Sequence, residues 1–283
     1  MLLLICRECG LDELPGDIGE LKYVVRSSAL QHKAPLVPQL KLFLGTGNHL
    51  TSLPVELFTL SNLTVLSLCI INHRKQLTNI QGNNKLKFLP ATIGNLVSLR
   101  ELNLSGNQLS YLPHTLLNLK HLQHLRLHPN PFLPPPPSYS PGPTPPSSQV
   151  NTPAILRAHQ CPSRPPDTSL IPSLVEFASR ALATNFVLAD IDKAWELPEY
   201  LRNKALHAEE QYRWHNTCAI CEKWYVDEPV DVNGLGCIEW YDTLHGNDAV
   251  PIWRGLCSWA CVVTWKSQIE VALGEQEKEE KSG

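Results

Sequence analysis

The feature that most constrains this chain's fold is a leucine pattern that repeats at regular intervals through its first half. Its clearest copy, Leu-x-Leu-x-x-Asn-x-Leu-x-x-Leu-Pro, runs from Leu102 to Pro113, and the pattern recurs 23 residues later from Leu125. Leucines at alternate positions are typical of a strand with one buried face, and Asn107 stands where the chain must turn. An asparagine amide there can bond the backbone groups that neighbouring turns leave free. Because one unit cannot bury its own leucines, the pattern predicts a solenoid of stacked units.

The spacing of equivalent positions indicates two inserts within the repeats. The position two residues after the asparagine is occupied by Leu11, Leu50, Leu86, Leu109 and Phe132, at spacings of 39, 36, 23 and 23 residues. The first two spacings exceed the 23-residue repeat by 16 and 13 residues, which we place near 24–39 and 69–81. Both inserts break a unit inside an element, whereas loop tips are where insertions are tolerated. We weigh two hypotheses: protruding loops that contact a partner, or gene-model errors that transcript sequencing would expose.

Two local features leave alternatives open. If Leu42 and Leu44 point inward, the turn before Asn48 has one residue too many; if strict spacing holds, Phe43 and Gly45 point inward. Cys9 occupies the asparagine position of the first unit, so we interpret the pair formed by Cys6 and Cys9 as repeat core in place of half a metal site.

The repeats resemble the leucine-rich repeat family, and in their short units they are similar to intracellular Ras-scaffold and plant Ras-related members. The resemblance covers residues 1–133 and implies an α/β right-handed horseshoe with a parallel sheet on its concave side. Outward-facing strand positions are the candidate partner contacts. They are Val65, Ser67, Glu101, Asn103, Ser105, His124, Arg126 and His128.

Charge and composition exclude several partners. A net charge of -3 gives no electrostatic reason to expect nucleic acid. The absence of a long apolar run predicts no membrane insertion, and the short apolar start lacks the features of a signal peptide. We therefore expect a cytoplasmic or nuclear protein whose nine cysteines are metal ligands or buried thiols before disulfides.

The second half of the chain begins with a proline-rich stretch. Prolines remove backbone donors and fix φ, so residues 134–167 are predicted to be a disordered linker. A helical segment is expected over 168–214, with one helix from Pro172 and another near Pro198. The charged residues 275–283 are expected to fray.

A cysteine-rich module is predicted over 215–274. Cys218 and Cys221 form a C-x2-C step, and Cys257 and Cys261 form a C-x3-C step. Two such steps brought together supply the four soft ligands that structural zinc prefers.

A hairpin of Lys223–Val226 with Pro251–Trp253, followed by a helix, would make the module resemble a small α+β treble clef. The second step and the distance between steps depart from the usual spacing. Cys237, His215 and His245 are alternative ligands. The alternatives to zinc are reduced core thiols, or a redox pair or disulfide.

These features predict a protein-binding scaffold or adaptor with a structural zinc module and no catalytic residues. Phosphate loops, nucleophile elbows and zinc-protease motifs are absent from the sequence. The alternative is a component or substrate-recognition subunit of a ubiquitin ligase. The partner and the oligomeric state cannot be deduced from these residues.

Overall fold

The chain folds into two compact units, as seen in a computed structural model. The residues described are 2–6, 9–14, 18, 40–69, 84–139, 155–161, 178, 181, 198–213, 217–225 and 236–282. The first unit comprises Met1–Pro135, Pro141–Ile155 and Tyr241–Pro251. The second unit comprises Pro136–Ser140, Leu156–Trp240 and Ile252–Gly283. The predicted domain boundaries stay predictions, but Tyr241–Pro251 joins a unit that the sequence predicts to end at residue 133.

The first unit is built on a parallel sheet with one short strand per repeat. Its strands are β1 (Leu2–Ile5), β2 (Leu40–Leu44), β3 (Val65–Ser67), β4 (Glu101–Asn103), β5 (Leu112–Pro113) and β6 (His124–Arg126). Five of them pair in the order β1-β2-β3-β4-β6, and every pair is parallel. The mixed α/β content and the parallel sheet are confirmed, whereas the horseshoe and its handedness stay predictions.

Three of the Leu-Pro steps in the described repeats start a short 3-10 helix that begins the return of the chain. The helices span Val55–Thr59, Ala91–Asn95 and His114–Asn118, and each is preceded by a proline with φ near -70°. Proline suits this place because its fixed φ leads the extended chain into the helix and no donor is lost from a ladder.

The leucines that face inward form the core of this unit. Leu66, Leu102 and Leu125 lie in register on neighbouring strands and are at most 5% exposed. Phe43 pairs with Leu66 and is fully buried, while Leu42 and Leu44 are half-buried. Strict spacing therefore holds at β2. It works because Gly45 is small: a Cβ there would lie 2.9 Å from the Phe43 ring.

The repeat asparagines join each turn to the one before it. The side-chain oxygens of Asn48, Asn84, Asn107 and Asn130 accept the backbone N–H groups of Leu11, Leu50, Leu86 and Leu109, in that order. The Asn107 side-chain NH₂ donates to the carbonyls of Leu68 and Leu104. These bonds satisfy backbone groups that the short strands leave without ladder partners.

The hydrogen bonds of the repeat asparagines also give the length of the second insert. Asn107 and Asn130 donate to a carbonyl 3 residues earlier, whereas Asn84 donates to Leu68, which is 16 residues earlier. The difference is the 13 residues that the leucine spacing predicts as an insert. Strands β3 and β4 still pair directly, so the stack continues across it. Residues 24–39 and 70–81 lie outside the described residues.

A further turn of the repeat type lies far away in the sequence. In Leu244–Asn247 (LHGN), Gly246 has φ of +78°, and the Asn247 side-chain NH₂ donates to the Leu244 carbonyl three residues earlier. Gly106 has φ of +72°, and Asn107 makes the corresponding bond to Leu104. Asn247 also donates to the carbonyl of Leu125 in β6, so this turn covers a group at the edge of the sheet.

Three strands and two helices with described bounds lie wholly or mainly in the second unit. They are β7 (Ile155–Gln160), α1 (Glu199–Arg213), β8 (Cys237–Asp242), β9 (Val250–Arg254) and α2 (Trp259–Ser282), and the strands neighbour each other in the order β9-β8-β7. The expectation of a linker without regular structure over 134–167 is wrong at β7. Leu156 and Ala158 are buried there, because their alternation gives a strand one apolar face.

Three other expectations for this half need correction or completion. Strand β9 lies beside β8, whereas Trp224 of the expected partner segment forms a bridge to Thr217; Val226 of that segment lies outside the described residues. Helix α2 continues to Ser282 where fraying is expected. In the helical segment, Ala205 and Ala208 of α1 are buried, while the helix expected from Pro172 lies outside the described residues except for 178 and 181.

Within the described residues, neither helix has the length and apolar character needed to cross a membrane.

Candidate functional site

Two rows of side chains cross the outward face of the parallel sheet. The strand register places Leu42, Val65, Glu101 and His124 side by side on β2, β3, β4 and β6, and we call these residues the first row. It also aligns Leu44, Ser67, Asn103 and Arg126, which we call the second row. Because side chains alternate along a strand, both rows point away from the leucine core.

The predicted contact residues are all accessible on this face or just after it. Glu101, His124, Arg126 and His128 are exposed. Val65, Ser67, Asn103 and Ser105 are half-buried. The Asn103 side-chain oxygen accepts both the N–H and the hydroxyl of Ser105, which fixes the orientation of its amide.

The sequence reasoning missed the apolar end of the same face. Leu42 and Leu44 belong to the rows, and Ile5 of β1 lies beside Leu44 and is 50% exposed. Because neighbouring residues of a strand face opposite sides, an inward Phe43 places Leu42 and Leu44 outward. The strict-spacing alternative of the sequence analysis, in which Phe43 points inward, therefore already implied this apolar end. Large apolar side chains grouped on an accessible surface mark an interaction site more often than scattered ones do.

The charged end of the face contains two neighbouring histidines. His245, in the Leu244–Asn247 turn, is half-buried, and His124 lies close enough to affect it. Burial is the main cause that lowers the pKa of His245, and the His124 charge lowers it further. The imidazole of His245 therefore takes up a proton less readily than an ordinary histidine does.

Four cysteines of the second unit converge on one point. The sulfurs of Cys218, Cys221, Cys257 and Cys261 all lie within 4.8 Å of one another. The Cys221 and Cys257 sulfurs are 3.4 Å apart, and those of Cys257 and Cys261 are 3.7 Å apart. The structure thus brings together the two predicted cysteine steps, which are separated by more than thirty residues in the sequence.

The first pair lies on a tight turn. Thr217 and Trp224 form an antiparallel bridge, and inside it the N–H of Cys218 donates to the Lys223 carbonyl. The N–H of Glu222 donates back to the Cys218 carbonyl, with Glu222 in the left-handed region at φ of 58°. This knuckle holds both of its thiols on the same side.

The second pair is placed by the start of α2. Cys257 precedes the helix, and Cys261 lies in its first turn, where its N–H donates to the Ser258 hydroxyl. Ser258 thereby caps the helix N-terminus. The N–H of Ala219 donates to the Gly255 carbonyl, which ties the knuckle to the chain that leads into α2.

The electrostatics of the cluster favour one thiolate. The Cys257 thiol donates to the Cys218 sulfur, and with the N–H groups of Cys221 and Ile220 it lowers the pKa of Cys218 to about 4. The Cys218 hydrogen bond and burial raise the pKa of Cys257, and burial raises that of Cys261. Further thiolates are disfavoured because like charges crowd together, and a bound dication would remove that penalty.

The four sulfurs fit zinc. A tetrahedral zinc with Zn–S bonds of about 2.3 Å places its sulfurs about 3.8 Å apart. The separations of 3.4 Å and 3.7 Å are near this value. Cys218, Cys257 and Cys261 are buried, and four protein ligands would close the coordination sphere, as in structural sites.

Two of the alternative ligands, Cys237 and His245, are not part of the cluster. Cys237 forms a disulfide with Cys161, which joins β8 to the end of β7. The expectation that the cysteines are metal ligands or buried thiols before disulfides is wrong for this pair. His245 lies in the first unit, and His215 is outside the described residues.

Comparisons with known proteins find similarity among solved structures. No protein-family profile matches the chain, and no curated protein matches it. Among solved structures, the chain is similar to a leucine-rich repeat protein of Leptospira interrogans, at 37% sequence identity and a TM-score of 0.32. The match covers 44% of this chain and 30% of that one.

Proposed function

We propose that this protein is a non-catalytic scaffold or adaptor of the leucine-rich repeat type, which binds a protein partner on the outward face of its parallel sheet. The observation that carries the proposal is the pair of side-chain rows across β2, β3, β4 and β6. The inward leucines and the asparagine bonds fix the backbone, so the rows are presented on a rigid surface. A preorganised surface loses little conformational entropy on binding.

The composition of the face supports a protein partner. It combines half-buried Leu42, Leu44 and Val65 with exposed charged residues on β4 and β6. Protein interfaces have this mixture of an apolar centre and a polar rim. The described residues of this face contain no grouping that resembles a nucleophile with its base.

We propose a structural role for zinc in the second unit. When bound, it would supply the cross-link between the knuckle and the start of α2 that a small apolar core does not provide. The order of knuckle, paired strands and helix is what supports a treble-clef-like assignment. The module would then hold a second protein or stabilise the chain.

The interaction proposal is tested by affinity purification with cross-linking and mass spectrometry on the full chain. Ser67→Arg places a large cation in the middle of the second row, and we expect it to remove the captured partners. Asn118→Arg is the matched control, since Asn118 is exposed at the end of a 3-10 helix and outside both rows. Partners captured equally by Ser67→Arg and by the wild type would refute the proposal.

A ubiquitin-ligase component remains the alternative prediction. A ligase module of the RING type needs two zinc sites, whereas the described residues contain one group of four cysteines. Zinc stoichiometry on the full chain separates these possibilities. One zinc per chain supports a structural module, and two would favour the ligase. A cytoplasmic or nuclear location also stays a prediction.

A further inference from the structure

We propose that the second row binds an extended segment of the partner in which an apolar residue and an acidic residue stand four positions apart. This inference rests on the proposed function, because it assigns a partner chemistry to the same sheet face.

The second row changes character steadily from β2 to β6. It begins with half-buried Leu44, beside exposed Ile5, continues with the neutral side chains of Ser67 and Asn103, and ends with exposed Arg126. A complementary ligand therefore has an apolar end, a hydrogen-bonding middle and an anionic end. Arginine favours a carboxylate because its planar guanidinium can donate two parallel hydrogen bonds.

The charges of the first row do not indicate whether the partner carries a negative or a positive charge, whereas those of the second row do. There Glu101 and His124 lie side by side on β4 and β6, so an acid and a potential cation occupy neighbouring positions. The second row has a cation and no acid. Arg126 is therefore the residue of this face that mainly selects a ligand by its charge.

Strand spacing sets the length of the ligand. Neighbouring strands lie about 4.8 Å apart, so the three steps from Leu44 to Arg126 cover about 14 Å. An extended chain advances about 3.4 Å per residue, so about four residues cover this distance. In an extended chain, residues i and i+4 also face the same side. An apolar side chain over Leu44 and a carboxylate at Arg126 therefore fit one segment.

The experiment is selection of a displayed library of random 12-residue peptides on the full chain. We expect enriched sequences to carry Leu, Ile or Val four positions from Asp or Glu, in either order. With Arg126→Glu, the acidic position should change to Lys or Arg, and affinity for an acidic peptide selected by the wild type should fall about tenfold. Lys87→Glu is the control, because it makes the same charge change at an exposed site outside the rows.

The outcomes separate this inference from the function on which it rests. Selected peptides that lack the acidic position, or that ignore Arg126→Glu, overturn the inference. An empty selection overturns it as well. In each case, loss of cellular partners in Ser67→Arg would still uphold the sheet face as a binding surface. If Ser67→Arg also keeps its partners, the proposed function fails too.

Discussion

The two units keep their folds by different means. In the first unit, the same pair of devices recurs at four turns: a leucine that points inward and an asparagine that bonds the neighbouring turn. In the second unit, stabilising contacts are gathered at a few points, which are the cysteine cluster, the Cys161–Cys237 disulfide and the ion pair of buried Glu239 with Arg254. A repeated device spreads stability over many small contributions, whereas a cluster makes the fold depend on a few residues.

The largest effect is expected at the cysteine cluster. Cys261→Ser should lower bound zinc from one per chain to nearly none, because a structural site needs all four ligands. Structural zinc is worth about 10–16 kcal/mol in small zinc-dependent peptides, so the second unit should lose its cooperative unfolding transition. Metal analysis of the purified full chain measures the stoichiometry. Cys69→Ser is the control, since this half-buried thiol lies in the first unit, and one zinc retained in Cys261→Ser would refute the four-sulfur site.

A medium effect is expected within the asparagine series. Asn107→Ala removes the partner of the buried Leu86 N–H and one of the two donors to each of the Leu68 and Leu104 carbonyls, which keep Asn84 and Asn130 as donors. The unsatisfied N–H costs about 1–3 kcal/mol and each lost hydrogen bond about 0.5–1.5 kcal/mol more, so after partial relaxation we expect a net loss of about 2–4 kcal/mol. Denaturant unfolding followed in the first unit measures it. Asn118→Ala, at an exposed position, should change stability by less than about 0.5 kcal/mol.

A smaller effect is expected at the turn that the sequence reasoning missed. Asn247→Ala removes side-chain bonds to Leu125 and Leu244, at the last strand of the sheet, where the neighbouring groups can reach water more easily. We expect a loss of about 1–2 kcal/mol in the first unit. Hydrogen exchange should show faster exchange at Leu125 and its neighbours. Unchanged exchange there would mean that Leu244–Asn247 contributes nothing to the sheet edge.

The smallest effect is expected from pH, and it should occur in both units. Burial, with His124 as a second cause, lowers the pKa of His245 below its ordinary 6.5, and burial lowers that of His159 in the same direction. The unfolded chain therefore binds more protons than the folded chain in this range. The associated stability is complete above pH 6.5 and is lost as the pH falls from there through the lowered values. Between pH 7.5 and 5, the melting temperature of the wild type should fall further than that of His245→Gln, which lacks this titrating group, and parallel curves would contradict this account.

The sequence predicts much of the first unit because its physics is local and periodic. A strand and the turn after it are predicted from six residues that include Leu102, Leu104 and Asn107. The 13-residue insert is predicted from the spacing of the leucines alone. Leu244–Asn247 escaped notice because it has the turn pattern without a preceding leucine ladder, and 122 residues separate Asn247 from its partner Leu125.

In the second unit, the sequence predicts the cysteine cluster but not the strand topology. Two closely spaced cysteine pairs are typical of a metal site, and this pattern predicts the cluster of Cys218, Cys221, Cys257 and Cys261. The pairing of β8 with β9, however, depends on long-range contacts that spacing does not encode. Strand β7 was missed because six residues of weak alternation follow a proline-rich stretch, and the approach of Cys161 to Cys237 depends on that strand.

The most direct test is hydrogen exchange, monitored by mass spectrometry, on the full chain before and after a zinc chelator. We predict that protection is lost in residues 217–225 and 255–271, while strands β3, β4 and β6 keep theirs. Equal loss of protection in those three strands, or unchanged protection around the cysteines, would contradict the conclusion that the two units rely on different means.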